Sequence, residues 1–399
     1  SILGDKVMHS ILMNLSIGLQ TAFTFTNILW VFIGGTLGTI IGMLPGLGPA
    51  TGVAILIPIT FGMNPATALI TMAAVYYGAM FGGSRASIML NIPGDASAIV
   101  SCFDGYPMTK KGKAGTALAI SAIASFIGGM IGMIFMVFLS QPVASAALRF
   151  GPAEMFSLMA FALVATITLS EGNLLKGLFS IVVGLMLSTI GIDPLAGVVR
   201  FTYGISSLNE GIDFLVVIIG VYAVTEVYKN LKSIDTVYNF DSKSIGKVRV
   251  SKEEFKQCLV PMLRSTPLGF VIGVLPGMGG TIATFMSYAM EKNLSKHPEE
   301  FGKGTIEGLA APEAANNACS CGAMVPLLTL GIPGSATTAV MLGALMLLGV
   351  RPGPTLFVDH PDIAWGVLAS MLIGNIILLF INLPLAIPLV QLLRVPQRI

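Results

Sequence analysis

The sequence predicts an all-α integral membrane protein with about 11-12 transmembrane segments, some of them discontinuous. The chain has 399 residues, 54% hydrophobic and 11% charged, with a mean hydropathy of +0.85, whereas a soluble domain carries roughly 25% charged residues. No Asp, Glu, Lys or Arg occurs between Lys6 and Arg85, and a helix needs about 20 such residues to span a bilayer. The 46 glycines and 22 prolines concentrate in charge-free runs, which is tolerated where a helix breaks against protein or a water-filled cavity.

Further charge-free runs divide the chain into regions. These runs cover 114–148, 155–170, 177–192, 265–290, 314–350 and 363–393. We predict an N-terminal membrane half with a first repeat core (1–113), a group of four spans (114–228), a cytoplasmic linker (229–256), and a second repeat core with a C-terminal span (257–399). The four spans are expected near 114–140, 153–170, 174–192 and 212–228.

Two motifs occur twice and in the same order. The sequence GMLPGLG at 42–48 recurs as GVLPGMG at 273–279, and NIPG at 91–94 recurs as GIPG at 331–334, at nearly the same interval. The ordered pair indicates a duplicated unit. Pro and Gly both interrupt helical hydrogen bonding, so each copy predicts a discontinuous membrane helix. Interrupted segments at corresponding positions of two halves point to the binding site of a transporter.

The distribution of basic residues predicts the orientation. The stretch 229–256 holds seven basic residues against four acids, and cytoplasmic loops favour Lys and Arg. A second cytoplasmic loop is expected at Lys110, Lys111 and Lys113. The loop 291–304 has balanced charges and is predicted to lie outside.

The second copy is then predicted to cross the membrane as one tilted, broken span over 265–290, between Arg264 and Glu291. The segments 305–330 and 332–350 are expected as spans or as re-entrant hairpins. With this count the two copies point in opposite directions, the inverted repeat of many secondary transporters.

Two charges lie beside the first NIPG motif. Burying a lone charge in a membrane is costly, so Arg85 and Asp95 are functional candidates. Arg85 could bind a substrate carboxylate through two hydrogen bonds, and Asp95 could hold a coupling cation or proton. The alternative is that the two side chains neutralise each other, or that Arg85 lies at the membrane interface.

A second polar cluster precedes the second GIPG motif. Glu313 is a further candidate for the coupling ion, and the amides of Asn316 and Asn317 could bind a carboxylate, a hydroxyl group or Na⁺. The alternative is that these side chains cap a helix or join helices by hydrogen bonds.

The breaks themselves complete the predicted substrate site. Half-helix N-termini attract anions and freed carbonyl groups coordinate Na⁺; the alternative is a purely structural kink. The candidate positions at and beside the breaks are Gly46, Gly48, Asn91, Gly94, Ser97, Gly277, Gly279, Gly334, Ser335, Thr337 and Thr338.

Other classes of function lack support in the sequence. We find no HExxH, GxSxG or GxxxxGK[ST] motif, so neither an enzyme nor a self-contained ATP-driven pump is expected. Cys319 and Cys321 could suggest a soft metal site, but the favoured interpretation is that small residues permit close helix packing. We predict no metal and no cofactor other than Na⁺ or H⁺ as coupling ion. The net charge of +2 gives no argument for nucleic-acid binding.

The combined motifs resemble the large membrane subunit of the bacterial tripartite tricarboxylate transporters. The resemblance covers residues 27 to about 398. It rests on Gly42–Ala50, Tyr77–Gly94, Asp104–Tyr106, Phe301–Gly304 with Glu307–Gly308, Ala311–Asn317, Thr329–Ser335 and Arg351–Pro354.

This resemblance implies a function and partners. Such a subunit works in the bacterial inner membrane with a small membrane subunit, and a periplasmic solute-binding protein delivers the substrate. The expected activity is cation-driven uptake of di- or tricarboxylates such as citrate by alternating access, with an elevator favoured. The alternatives are a passive anion channel or a transporter for a non-carboxylate solute. Members usually continue past the position of Ile399 with further apolar sequence, and Arg85 occupies a position where variation is expected.

Overall fold

The computed structural model describes residues 2–44, 47–166, 174–193, 197–209, 211–212 and 245–392, with a few single positions between 217 and 228. The described chain is almost entirely helical. Its helices are α1 (Ile2–Ala22), α2 (Phe25–Met43), α3 (Gly48–Thr60), α4 (Pro65–Leu90), α5 (Ile99–Lys110), α6 (Ala114–Ala147), α7 (Pro152–Thr166), α8 (Leu174–Ser188), α9 (Lys252–Val274), α10 (Gly279–Leu294), α11 (Ile306–Leu330), α12 (Ala336–Leu347), α13 (Leu356–Asp359), α14 (Pro361–Asn382) and α15 (Ala386–Leu392).

Short elements complete the described structure. Three 3₁₀ turns lie at Ala96–Ala98, Ser206–Leu208 and Pro298–Glu300. Two strands, β1 (Gly191–Ile192) and β2 (Val199–Arg200), pair antiparallel with Gly191 opposite Arg200.

Five of the described helices are long and apolar enough to cross a membrane: α2, α4, α6, α9 and α14. The predicted all-α membrane class is therefore confirmed. The predicted spans 114–140, 153–170 and 174–192 correspond to α6, α7 and α8. The predicted span 212–228, the linker up to residue 244 and residues 393–399 lie largely or wholly outside the described residues. The total of 11-12 segments stays a prediction.

Both predicted breaks separate two helices, and the described residues on either side of each break have similar backbone angles. Leu44 and Leu275 end α2 and α9 in extended conformations, with φ −77°, ψ 119° and φ −81°, ψ 119°. Gly48 and Gly279 begin the next helices with φ of 51° and 62°, a left-handed conformation that favours glycine. The discontinuous helices predicted from the two Pro-Gly motifs are thus α2–α3 and α9–α10.

The second broken helix is not the single tilted crossing that the sequence suggested. Arg264 on α9 donates to Glu291 on α10, with 2.5 Å between Nη2 and Oε1. These residues lie on either side of the break, so their contact requires α10 to fold back along α9. The pair is therefore a hairpin, and the Glu291 side chain that contacts α9 is only 2% exposed.

One predicted loop position is also corrected. Lys111 donates from Nζ to the carbonyl oxygen of Lys303 at 2.6 Å. The loop 291–304, predicted outside, therefore lies on the same face of the protein as Lys110–Lys113, predicted inside. Balanced charge in a short loop gave no reliable signal, because the positive-inside rule rests on an excess of Lys and Arg.

Glycines allow each broken helix to pack directly on the long helix that follows. A methyl group on Gly42 would lie 2.3 Å from the carbonyl oxygen of Ala79, and one on Gly273 would lie 2.2 Å from that of Cys319. These are sequence-equivalent positions in the two copies. Small residues bring helix backbones together in membranes, and here they make the same α2–α4 and α9–α11 contact twice.

Candidate functional site

The site is built where the two long buried helices α4 and α11 end. Asn91 and Gly331 cap these helices at equivalent positions, both in the left-handed conformation, with φ of 58° and 69°. The following loops carry Gly94 and Gly334. A methyl group there would lie 2.1 Å and 2.8 Å from the carbonyl oxygens of Gly42 and Gly273, respectively. Each loop therefore lies directly against the break of its own copy.

The two loops begin their next helices with different side chains in the same role. Asp95 Oδ2 accepts from the backbone N–H of Ser97 at 3.4 Å and from its hydroxyl at 2.7 Å. Ser335 occupies the equivalent position, and its hydroxyl accepts from the N–H of Thr338 at 3.3 Å. Both side chains are N-caps, but only the first copy places a carboxylate there.

The two copies also meet each other at the breaks. Gly280, just inside α10, lies so close to Asn316 and Ser97 that a methyl group on it would be 2.7 Å from Asn316 Oδ1 and 3.0 Å from Ser97 Cβ. On the other side, the Tyr76 hydroxyl lies 3.4 Å from Ser335 Oγ. Residues from both halves thus surround one region, as the repeated motifs predicted.

Arg85 does not pair with Asp95 but with Asn382. Its side chain is 2% exposed and donates from Nε and Nη2 to Asn382 Oδ1 at 3.0 Å and 2.5 Å, and from Nη2 to the Asn382 carbonyl at 2.8 Å. Nη1 has no hydrogen-bond partner within the described structure. The expected pairing of Arg85 with Asp95 is therefore not found, and the guanidinium retains one buried donor.

Glu313 accepts hydrogen bonds from serine hydroxyls on two other helices, α5 and α6. Ser101 donates to Oε1 at 2.5 Å, while Ser121 and Ser125 donate to Oε2 at 3.1 Å and 3.2 Å. Ser84 extends the network through Ser121 at 2.7 Å. The carboxyl group is 2% exposed and forms no ion pair with a described residue. A buried carboxyl group with hydroxyl ligands and no fixed cation can hold a proton or a cation.

The two adjacent amides lie one turn further along α11. Asn317 donates from Nδ2 to the carbonyl oxygen of Glu313 at 3.1 Å. The side-chain oxygens of Asn316 and Asn317 are buried and accept no hydrogen bond from any described residue. Unsatisfied buried acceptors cost free energy, so these two oxygens are candidate ligands for a donor or a cation.

The structure brings most of the predicted positions into this region. The positions that line the breaks are Gly48, Gly94, Asp95, Ser97, Asn316, Ser335 and Thr338. Gly277 donates its N–H to the Gly334 carbonyl at 3.3 Å, and Gly279 begins α10. Thr337 is buried in the first turn of α12. Asn91 is exposed at the end of α4. Arg85 and Glu313 are buried in the helices behind the breaks. Gly46 lies outside the described residues.

Sequence reasoning assigned no role to Asp104. Its Oδ1 accepts from the N–H groups of Gly302, Gly304 and Thr305 at 3.0, 2.7 and 2.8 Å, and its Oδ2 accepts from the Tyr288 hydroxyl at 2.9 Å. The carboxylate joins α5 to the loop that starts α11. The sequence signal for this contact was the pair of glycines at 302 and 304. Both adopt a positive φ, 83° and 96°, which favours glycine.

No group of three or more potential metal-ligating His, Cys, Asp or Glu side chains exists among the residues that the structure describes. Cys319 and Cys321 are buried in α11, and Cys321 Sγ contacts the Gly129 carbonyl at 3.6 Å. Their contacts are those of small residues in a helix interface.

The apolar helices and the paired helix breaks define a multi-pass membrane protein with the architecture expected of a transporter. The family model of the tripartite tricarboxylate transporter TctA family matches residues 28–399. The chain therefore belongs to this family, and it is a subunit of a tricarboxylate transporter.

Two relatives come from Agrobacterium vitis. An uncharacterized 52.8 kDa protein in the TAR-I ttuC' 3'region is 46% identical over 391 residues, which is 98% of this chain and 78% of the relative. An uncharacterized protein in the TAR-II ttuC' 3'region is 51% identical over 130 residues, 33% of this chain and 54% of the relative. No solved structure matches the chain.

Proposed function

We propose that this chain is the transmembrane subunit of a secondary active uptake system for organic anions, namely di- or tricarboxylates such as citrate. The observation that carries the proposal is the meeting of two duplicated helix breaks around Asp95, Ser97, Asn316 and Ser335. A solute bound there touches both halves of the protein. Movement of the paired breaks relative to the rest of the protein can then expose the site to each side of the membrane in turn.

The anion is proposed to bind at the helix starts beside the breaks. Helices α3, α10 and α12 begin at Gly48, Gly279 and Ala336, and free N–H groups at helix N-termini attract carboxylates. Ser97, Ser335 and the two amides of α11 supply further hydrogen bonds. Arg85 is held by hydrogen bonds to Asn382, so we assign it a supporting position behind the site.

The coupling ion is proposed to be Na⁺ or H⁺, bound by the two carboxyl groups. Glu313 offers a preformed shell of hydroxyl oxygens from α5 and α6, and Asp95 lies closer to the breaks and is partly exposed. A proton on Glu313 fits its surroundings with no further ligand. A Na⁺ ion would recruit the free side-chain oxygens of Asn316 and Asn317.

We further propose that the two copies are inverted with respect to each other and that the core moves as an elevator. Two contacts support the inversion. Asn27 at the start of α2 accepts from Thr67 at the start of α4, at 2.7 Å, so the open end of the first hairpin lies with the start of α4. The open end of the second hairpin, where α9 begins and α10 ends, lies near Lys111 and Lys303. These residues lie beyond the C-terminal end of α4. Paired hairpins of this kind can slide together through a fixed scaffold.

The remaining parts of the system follow from the family. We propose a bacterial inner-membrane location, a small membrane subunit of the same transporter and a periplasmic solute-binding protein. In cation-driven symport, the downhill movement of the cation supplies the free energy for accumulating the anion against its gradient.

The test is uptake of radiolabelled citrate and a panel of dicarboxylates into proteoliposomes that hold this subunit, its small partner and the matching binding protein. Accumulation that collapses when either the Na⁺ or the H⁺ gradient is removed would establish symport and identify the ion. Uptake that never exceeds the equilibrium ratio would favour a passive anion channel. Absence of uptake under both gradients, with active binding protein, would exclude these carboxylates and favour another solute.

A further inference from the structure

A groove that none of the proposed transport steps uses opens on the face of Lys111 and Lys303. It lies between α6, the start of α9 and the chain just after α14, and has a volume of about 680 Å³. A second cavity of about 490 Å³ shares the residues 249–252 with it. The two form one continuous groove, large enough for part of a lipid because ligand pockets hold roughly 300–1,000 Å³.

The floor of this groove is apolar and runs along α6, a helix that is long and apolar enough to cross a membrane. Ala119 and Ile123 from α6, Phe255 and Leu259 from α9, and Leu383 line it. Ile123 lies roughly two and a half turns, about 13 Å, from the start of α6 at Ala114. A ligand that fills the groove must therefore place an apolar part beside the hydrocarbon layer.

The mouth of the groove is strongly basic. Lys247, Arg249, Lys252 and Lys256 line the two cavities, all are exposed, and none forms an ion pair with a described residue. Unpaired basic side chains at the membrane surface attract anionic lipids by about 1 kcal/mol each.

The acids near this mouth do not cancel its charge. Glu254 is the lining acid, and its Oε2 accepts from the Ser251 N–H at 2.9 Å while Ser251 caps the helix in return. Its carboxylate is therefore held in the capping box at the start of α9. Glu253 is exposed in the same turn but does not line either cavity.

We propose that this groove binds an anionic diacyl phospholipid of the cytoplasmic leaflet. The phosphate lies among Arg249, Lys252 and their basic neighbours, and one acyl chain follows the apolar floor between α6 and α9. Basic pockets between transmembrane helices on the cytoplasmic side bind anionic headgroups in this way. The lipid joins the start of the second broken helix to α6, beyond the transport function proposed above.

The test is native mass spectrometry of the full chain in detergent, titrated with phosphatidylglycerol or with phosphatidylcholine of the same acyl chains. We expect tighter binding of phosphatidylglycerol. The double variant Arg249→Gln/Lys252→Gln should weaken it by about 10- to 30-fold, since two charges are lost. The matched control is Lys292→Gln/Lys296→Gln, which removes two exposed charges outside the groove and should leave the affinity unchanged.

Two further measurements distinguish loss of the basic charges from misfolding and from binding of free phosphate. The charge-preserving variant Arg249→Lys/Lys252→Arg should bind like the parent, which separates loss of charge from misfolding. Inorganic phosphate at millimolar concentration should leave the lipid bound. Equal binding of the two lipids, equal losses in both Gln variants, or displacement of the lipid by phosphate would each overturn the proposal.

Discussion

The two helix breaks have similar backbone angles at their described ends but differ in the charged side chains nearby. The first copy has Arg85 and Asp95 near its NIPG loop, and the second has Val325 and Ser335 at the equivalent positions. The second instead has Glu313 within its long helix. Packing of the breaks on α4 and α11 depends on glycines that are common to both copies. The comparison shows that the two copies share the glycines that pack each break on its long helix, whereas their ionisable side chains differ in type and position.

The largest effect should come from substituting the glycines that pack α2 on α4 and α9 on α11. Gly42→Ala and Gly273→Ala each place a methyl group within 2.3 Å of a backbone oxygen on the following helix. We expect each variant to lose about 1–3 kcal/mol of stability or more, with little folded protein recovered and no uptake. Folded yield and thermal unfolding in detergent measure this effect.

The control for these variants is Gly184→Ala on α8, where a methyl group would meet nothing within 4 Å. That variant should be recovered normally. If Gly42→Ala is tolerated while Gly273→Ala is not, the two copies do not depend on the same packing.

The next effect concerns the buried carboxyl group that only the second copy has in its long helix. Glu313→Gln keeps the size of the side chain and an acceptor for the serine hydroxyls, but it removes the ionisable group. We expect the protein to fold and gradient-driven accumulation to disappear. Uptake in the proteoliposome assay measures this, with Glu307→Gln in the first turn of α11 as control. Normal accumulation by Glu313→Gln would remove Glu313 from coupling.

A smaller effect is expected when Asp95, the N-cap of the first copy, is replaced by serine, the N-cap residue of the second copy. Asp95→Ser should preserve capping, because Ser and Asp are about equally good N-caps, and stability should change by only about 0.5 kcal/mol. Uptake should nevertheless fall if the charge binds the coupling ion. Thermal unfolding and uptake, compared with Asp95→Asn, separate the two roles. Loss of stability without further loss of uptake would make Asp95 purely a cap.

The smallest effect should come from the contact between the copies. Tyr76→Phe removes the hydroxyl that lies 3.4 Å from Ser335 Oγ. One neutral hydrogen bond contributes about 1 kcal/mol, so we expect a small decrease in thermal stability. Ser335→Ala in the Tyr76→Phe background should add only its own capping loss. A much larger combined loss would show that the two breaks are more strongly coupled than this contact suggests.

The sequence by itself determined the membrane class, the positions of both breaks and the identity of the polar residues beside them. Composition and charge-free runs reflect the demands of the bilayer, and a Pro-Gly pair followed by a further glycine in an apolar run favours a helix break. These properties are local, so they can be recognised along the chain without knowledge of its folding. The repeated motifs carried the further information that two such sites exist.

Only the tertiary structure decided which groups meet. It directed Arg85 to Asn382 instead of Asp95, surrounded Glu313 with serines from two other helices, and folded α10 back onto α9 through Arg264 and Glu291. It also used Asp104 to hold the start of α11. Each of these contacts joins residues that are distant in sequence, and none apart from the Asp104 contact, with its glycines at 302 and 304, leaves a periodic or compositional signal. Their partners are chosen by which helix faces pack together, because a buried polar group takes whatever partner that packing brings within hydrogen-bond distance.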